Sequence, residues 1–223
     1  MHSTIVSAAF VAAVVVNAAP SAYGNPGHAE RELQLGSSSP SGQDGPSPTA
    51  TSSSSGQTPF TFPLPNGFPN VDNVTLRSIE EQAHGTLPNG ALPTKLNQKS
   101  IATLELIAFN EIFEVAFFTD LIANITSGVS GYSIDSPVLK AFVLRTLTAV
   151  QAQEELHFLG ANGILASAGQ DQIQPCQYVF PVDNFDDAIR LASTFTDVVL
   201  GTLQDAQINF ATDGDAELVP LIG

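Results

Sequence analysis

One stretch constrains this chain more than any other: residues 139–161, LKAFVLRTLTAVQAQEELHFLGA, and within it Glu154-x-x-His157. On a helix, Leu139, Val143, Thr146, Val150, Glu154, His157 and Ala161 follow steps of four and three and share one stripe. The stripe begins apolar, so it should face a core. Glu154 and His157 then continue that face inward, where a carboxylate and an imidazole are costly unless paired with each other or bound to metal. A Glu and a His one turn apart on an inward helix face are also what metal-binding bundles present to an ion. The short motif has a plainer reading too, in which Glu154-Glu155 marks the border of a solvated face.

The 223 residues suffice for one domain with tails. Seven basic against 22 acidic residues give a net charge of −15, which repels nucleic acid and anionic membranes and excludes both as partners. Residues 1–18 read as a secretory signal: an apolar run from Ile5 to Val16 precedes Val16-Asn17-Ala18, whose small residues suit cleavage after Ala18. The run is too short to span a bilayer, so the expected product is exported. Two sequons, Asn73-Val74-Thr75 and Asn124-Ile125-Thr126, agree with that compartment, and Asn124 is expected at an accessible helix end. Cys176 is the single cysteine, which leaves open a lost or intermolecular partner or a buried free thiol.

In chain order, residues 19–59 form a Ser/Pro/Gly-rich segment with little to bury, expected to be a disordered stalk of a composition suited to O-glycosylation. Residues 60–99 read as an extended arm holding two LPNG turns (64–67 and 87–90) and a short helix near 73–84, packed on the domain that follows. Residues 100–223 carry the helices. The first runs from about Ser100, a fair N-cap, to Ile125 before Gly128. Its stripe of Leu104, Ala108, Glu111, Val115, Phe118 and Ile122 is interrupted only by Glu111, with Glu114 on a neighbouring edge. The second starts at Ser136-Pro137 and is expected to end near Asn162-Gly163. A connection through 169–181 should then cross the domain. The third runs from Asp183 to about Ala211 on a stripe of Phe185, Ala188, Ala192, Phe195, Val199, Thr202 and Ala206, with Asp197 and Asp205 solvated. A fourth starts near Asp215 and is largely missing from the sequence.

IAFNEIFEVAFFTDLIANIT, LTAVQAQEELHFLGANG, QIQPCQYVFPVDNFDDAI and STFTDVVLGTLQDAQ resemble, in that order, the fungal secreted ferritin-like proteins of the late sexual development type. These are relatives of the desiccation-related ferritin-like proteins. The resemblance covers roughly residues 64–223 and implies an all-α, ferritin-like up-down helix bundle, here with three long helices. It also implies a ligand set. Glu111 and Glu114 fall where the first helix offers carboxylates, and Glu154 and His157 match the second helix's Glu-x-x-His. The third helix has Thr196-Asp197 where an inward Glu is expected, and the second Glu-x-x-His has no counterpart.

Two functions follow. The first is an exported, non-catalytic protein of stress or sexual development, associated with the cell wall or with copies of itself, in which Glu154 and His157 form a buried pair. The second is a metal-dependent oxidase or iron-handling protein using Glu111, Glu154 and His157 with Fe or Mn, or a single Zn. A hydrolase built on His157 lacks a nucleophile motif. Protein recovered after export should begin at Ala19, which N-terminal sequencing would establish; material beginning at Met1 would refute the signal.

Overall fold

The computed structural model describes residues 61–222, so the signal and the Ser/Pro/Gly-rich segment lie outside the described residues. All regular structure among these residues is helical: α1 (Asn73–Ala83), α2 (Gln98–Ser127), α3 (Pro137–Ser167), α4 (Phe185–Asp213), a 3-10 turn (Ala216–Leu218) and the short α5 (Val219–Ile222). No described helix is long and apolar enough to cross a membrane.

Helix α2 is the common neighbour. Its apolar residues are too many for one face, and Leu104, Ala108, Ile112, Val115 and Ile125 are completely buried. Helix α3 runs antiparallel to it, since Lys140 Nζ donates to the Thr126 carbonyl at 3.3 Å and Gln151 Nε2 to Thr119 Oγ1 at 2.6 Å. Helix α4 is antiparallel to α2 as well. Phe185 N–H donates to the Gly131 carbonyl at 3.0 Å at one end, and Asn97 Nδ2 to the Asp213 carbonyl at 2.6 Å at the other. Helices α3 and α4 are therefore parallel, and residues 168–184 return the chain from one end of α2 to the other. That connection is fastened by Asn162, which exchanges two hydrogen bonds with the Ile173 backbone, and by Tyr132, whose hydroxyl donates to the Val182 carbonyl at 2.9 Å. Tyr178 and Phe180 from the connection stack and meet Phe113 edge-on. Cys176 beside them is half-buried and unbridged.

The arm before α2 belongs to the same core. Phe68 is fully buried against Phe158, with ring centroids 5.5 Å apart, and Ile79 and Ala83 of α1 pack on Ala152 and Leu156 of α3.

Several expectations need correction. Helix α2 begins before Ser100, which is buried inside its first turns, and the N-cap is Asn97. The Asn97 N–H donates to Asp215 Oδ2 at 2.9 Å, so a residue from beyond α4 completes the start of α2. Helix α3 continues past Asn162-Gly163, because the Asn162 side chain is spent on Ile173 rather than on stopping its own helix. Asn124 is not accessible: it is 3% exposed and its amide donates to Asp120 Oδ2 at 3.0 Å.

The largest correction concerns α3. Of its expected core stripe, Leu139, Thr146 and His157 are exposed, Val143, Val150 and Glu154 half-buried, and only Ala161 is buried. Helix α3 lies between α1 and α2, so its core residues Leu147, Ala152, Leu156, Phe158 and Leu165 spread over two directions. Val143 and Val150 of the expected stripe still pack on the core around Phe117 and Leu147, whereas Leu139, Thr146 and His157 fall outside it. The α2 stripe and the α4 stripe do face inward, with Asp197 and Asp205 exposed as expected.

Gly131 is where α2 and α4 are stitched together. Its φ of +88° is open to glycine, and a Cβ there would collide with the Asp183 carbonyl oxygen. Gly131→Ala should cost about 2 kcal/mol or more of stability, read as a lower urea midpoint with unchanged slope.

Candidate metal centre

Glu111 and Glu114 sit one turn apart on α2, and both are 3% exposed. Helix α2 puts them there because the neighbouring turns, Ala108, Ile112 and Val115, are fully buried, and no rotation of the helix could expose the carboxylates without exposing that core. From α3, Glu154 and His157 approach the same level. His157 Nδ1 lies 2.8 Å from Glu154 Oε2 and 3.4 Å from Glu111 Oε2. One ligand atom from each of Glu111, Glu154 and His157 lies within 4.8 Å of the others.

The expected convergence of these three residues is therefore what the backbone produces. The expected depth is not: the His157 side chain is 58% exposed, whereas that of Glu154 is 13% exposed. The imidazole forms the rim and the carboxylates the floor. Glu114 lies outside the three-atom group but close enough to feel its charges. Helix α4 adds no carboxylate, since Thr196 and Asp197 are exposed.

The cluster holds protons tightly. Burial pushes the Glu114 carboxyl up to about 8, with the charges of Glu154 and Glu111 adding to the shift. Burial likewise raises Glu111, against the opposing hydrogen bond and charge of His157. Desolvation pulls His157 down, but its hydrogen bonds to Glu111 and Glu154 outweigh that loss and its pKa stands at about 10. A proton shared within this group satisfies Glu111 and His157 together, which reconciles two upward shifts on opposite partners.

A divalent cation would take the place of that proton. The three ligand atoms lie within 4.8 Å of one another, so modest side-chain adjustment would bring them into a shell of about 2.1 Å radius. Carboxylate plus imidazole donors suit Fe, Mn or Zn. Glu114 Oε1 is buried with no hydrogen-bond partner among the described residues, which is the kind of orphaned acceptor that an ion nearby would relieve. The donor set fits a cation held by Glu111, Glu154 and His157. Since His157 must lose its proton first, occupancy would rise with pH.

Sequence reasoning missed Glu155. Taken as the border of a solvated face, it is 3% exposed and points away from the cluster, where Asn66 Nδ2 donates to its two oxygens at 3.3 and 3.4 Å. Burial pushes it up to about 7, partly offset by Asn66.

No family model matches this chain, and the comparisons with curated proteins and with solved structures found no match either.

Glu114 generates a pH-dependence. Its folded pKa of about 8 stands above the ordinary 4.5 of a free glutamate, so its contribution to stability is intact below pH 4.5 and is lost as pH rises towards 8. Glu114→Gln removes that titration. Thermal unfolding of the metal-free variant should gain on the parent by an amount growing between pH 4.5 and 8, on the order of 5 kcal/mol at most. Parallel pH profiles for the two proteins would contradict the placement of Glu114.

Proposed function

We propose that this chain is an exported ferritin-like protein of the late sexual development type that binds one divalent cation through Glu111, Glu154 and His157 and does not perform dimetal oxygen chemistry. The observation that carries this reading is the convergence of three ligand atoms, from two helices, within 4.8 Å at a cavity edge. The path of the chain supports the ferritin-like part: an antiparallel pair, α2 and α3, then one long crossover to a helix parallel to α3, as in bundles of that class. Ligands from two helices, with none from α4, support the restriction to one ion, because a dimetal cage draws carboxylates from all four helices.

A second reading, favoured by the 2.8 Å contact of His157 with Glu154, makes the cluster a structural ion pair. Metal content and melting separate the two. Under the metal reading, parent protein incubated with Mn(II), Fe(II) or Zn(II) retains one equivalent and melts higher, since an ion at 100 times its Kd stabilises by about 2.7 kcal/mol. His157→Ala loses that increment. A metal-free loss of about 3 kcal/mol, with no retained ion in the parent, would establish the structural pair instead.

Export has its own check. Asn73 is the exposed first residue of α1, whereas Asn124 is buried. Folded protein from the secretory pathway should carry a single N-glycan, removed by Asn73→Gln and untouched by Asn124→Gln; two glycans on folded material would contradict the placement of Asn124.

A further inference from the structure

The dipeptide Asn-Gly occurs three times in this chain, at 66–67, 89–90 and 162–163, and the fold places the three copies in different surroundings. The pair has its own chemistry because glycine carries no Cβ, so its main-chain nitrogen can approach the side-chain carbonyl carbon of the preceding asparagine. That approach needs an asparagine side chain free to turn and a glycine N–H not tied into a hydrogen bond.

Asn162 is 5% exposed inside α3, and both ends of its side-chain amide are engaged by the Ile173 backbone, at 2.9 and 3.0 Å. Gly163 lies within the same helix, where backbone amides are bonded to the preceding turn. Asn66 is held as well. Its Nδ2 donates to both Glu155 oxygens, its Oδ1 accepts from the Phe68 N–H at 3.1 Å, and the Gly67 N–H donates to the Leu64 carbonyl at 2.8 Å. Buried Leu64 and Phe68 anchor this turn on either side. Asn89 belongs to the second copy of the same tetrapeptide, Leu-Pro-Asn-Gly, and has none of these restraints. It is exposed and outside any helix, and among the described residues neither its side chain nor the Gly90 N–H makes a hydrogen bond. A Cβ built on Gly90 meets nothing within 4 Å, so the segment has room to bend.

We propose that Asn89 is a self-modification site, converted without an enzyme to aspartate and isoaspartate, while the fold protects Asn66 and Asn162. Hydroxide removes the Gly90 amide proton, and the nitrogen attacks Asn89 Cγ to form the cyclic imide. The Cγ–Nδ2 bond breaks, and the departing nitrogen takes protons from water, leaving as ammonia and regenerating hydroxide. Water then opens the imide. Cleavage of the new bond at Cγ restores the original main chain with aspartate, whereas cleavage at the main-chain carbonyl leaves isoaspartate. The sum is one water consumed and one ammonia released, with no change of oxidation state.

The change falls beside the candidate metal centre but does not depend on the cation reading. Leu87 and Pro88 line a cavity together with Glu111 and His157. Each converted molecule therefore carries a new negative charge, and in isoaspartate a lengthened main chain, directly after two residues of that wall.

The test incubates the full chain, native and in urea, in neutral to mildly alkaline buffer and follows conversion by tryptic mapping with mass spectrometry. The peptide Ser78–Lys95 contains Asn89 as its single asparagine, and Asn66 and Asn162 fall on other peptides. In the native chain Asn89 should convert roughly tenfold faster or more than Asn66 and Asn162, because those two react only through local opening. In urea the three rates should draw together. Conversion at Asn89 should quicken with pH, yield isoaspartate beside aspartate, and be suppressed by Gly90→Val, which crowds the attacking nitrogen. A native Asn89 no faster than Asn66 or Asn162 would overturn the inference, as would rates that stay apart in urea. Aspartate formed without isoaspartate, or undiminished conversion in Gly90→Val, would overturn the imide route.

Discussion

The burial of α2 is the constraint on which the rest of the structure depends. Helices α3 and α4 both pack along the surface of α2, while α1 packs on α3. Two glutamates lie within that surface at 3% exposure, where an ionised carboxylate is costly. The chain keeps them because the alternative, turning α2, would expose Ala108, Ile112 and Val115 and give up far more apolar burial than two neutralised acids cost. Protons therefore stay on this cluster at pH values where free side chains would have lost them, and a cation is the natural competitor for their place.

How much of this could be read from residues depended on how many neighbours each helix has. On α2, Glu111 interrupts an otherwise apolar stripe, and both the helix and its inward carboxylate were legible. On α4, the stripe from Phe185 to Ala206 and the solvated Asp197 and Asp205 were legible too. Helix α3 defeated the same argument. Wedged between α1 and α2, it buries two directions that a single 3.6-residue period cannot represent, and Leu139, Thr146 and His157 of the expected stripe are left exposed. The right residues were singled out for a partly wrong reason: they meet Glu111 at an edge, not in an interior. Glu155 and Asn124 were misjudged because the side chains that receive them, Asn66 and Asp120, are visible only once the chain is folded.

The division of the site between a dry floor and a wet rim bears on its chemistry. Glu111 and Glu114 contribute from a rigid, crowded helix, which fixes their geometry, while His157 stands where water and ligands reach it. An ion at such a boundary would be anchored on one side and accessible on the other. That arrangement serves capture and exchange of a ligand better than it serves a reaction that must exclude water.

The clasp between Asn97 and Asp215 has a consequence for how the protein assembles. The first turn of α2 borrows an acceptor for its N-cap amide from a residue 118 positions away, and its cap side chain is spent on the Asp213 carbonyl. A helix begun this way cannot finish its own terminus from local sequence, so the beginning of α2 is secured only when α4 has docked along its whole length. Closing so long a loop is slow compared with forming the α2–α3 hairpin. In the native state the same dependence runs backwards: the Asn97 amide is released to solvent when the Asp215 contact opens, and so its exchange reports on a segment to which it does not belong.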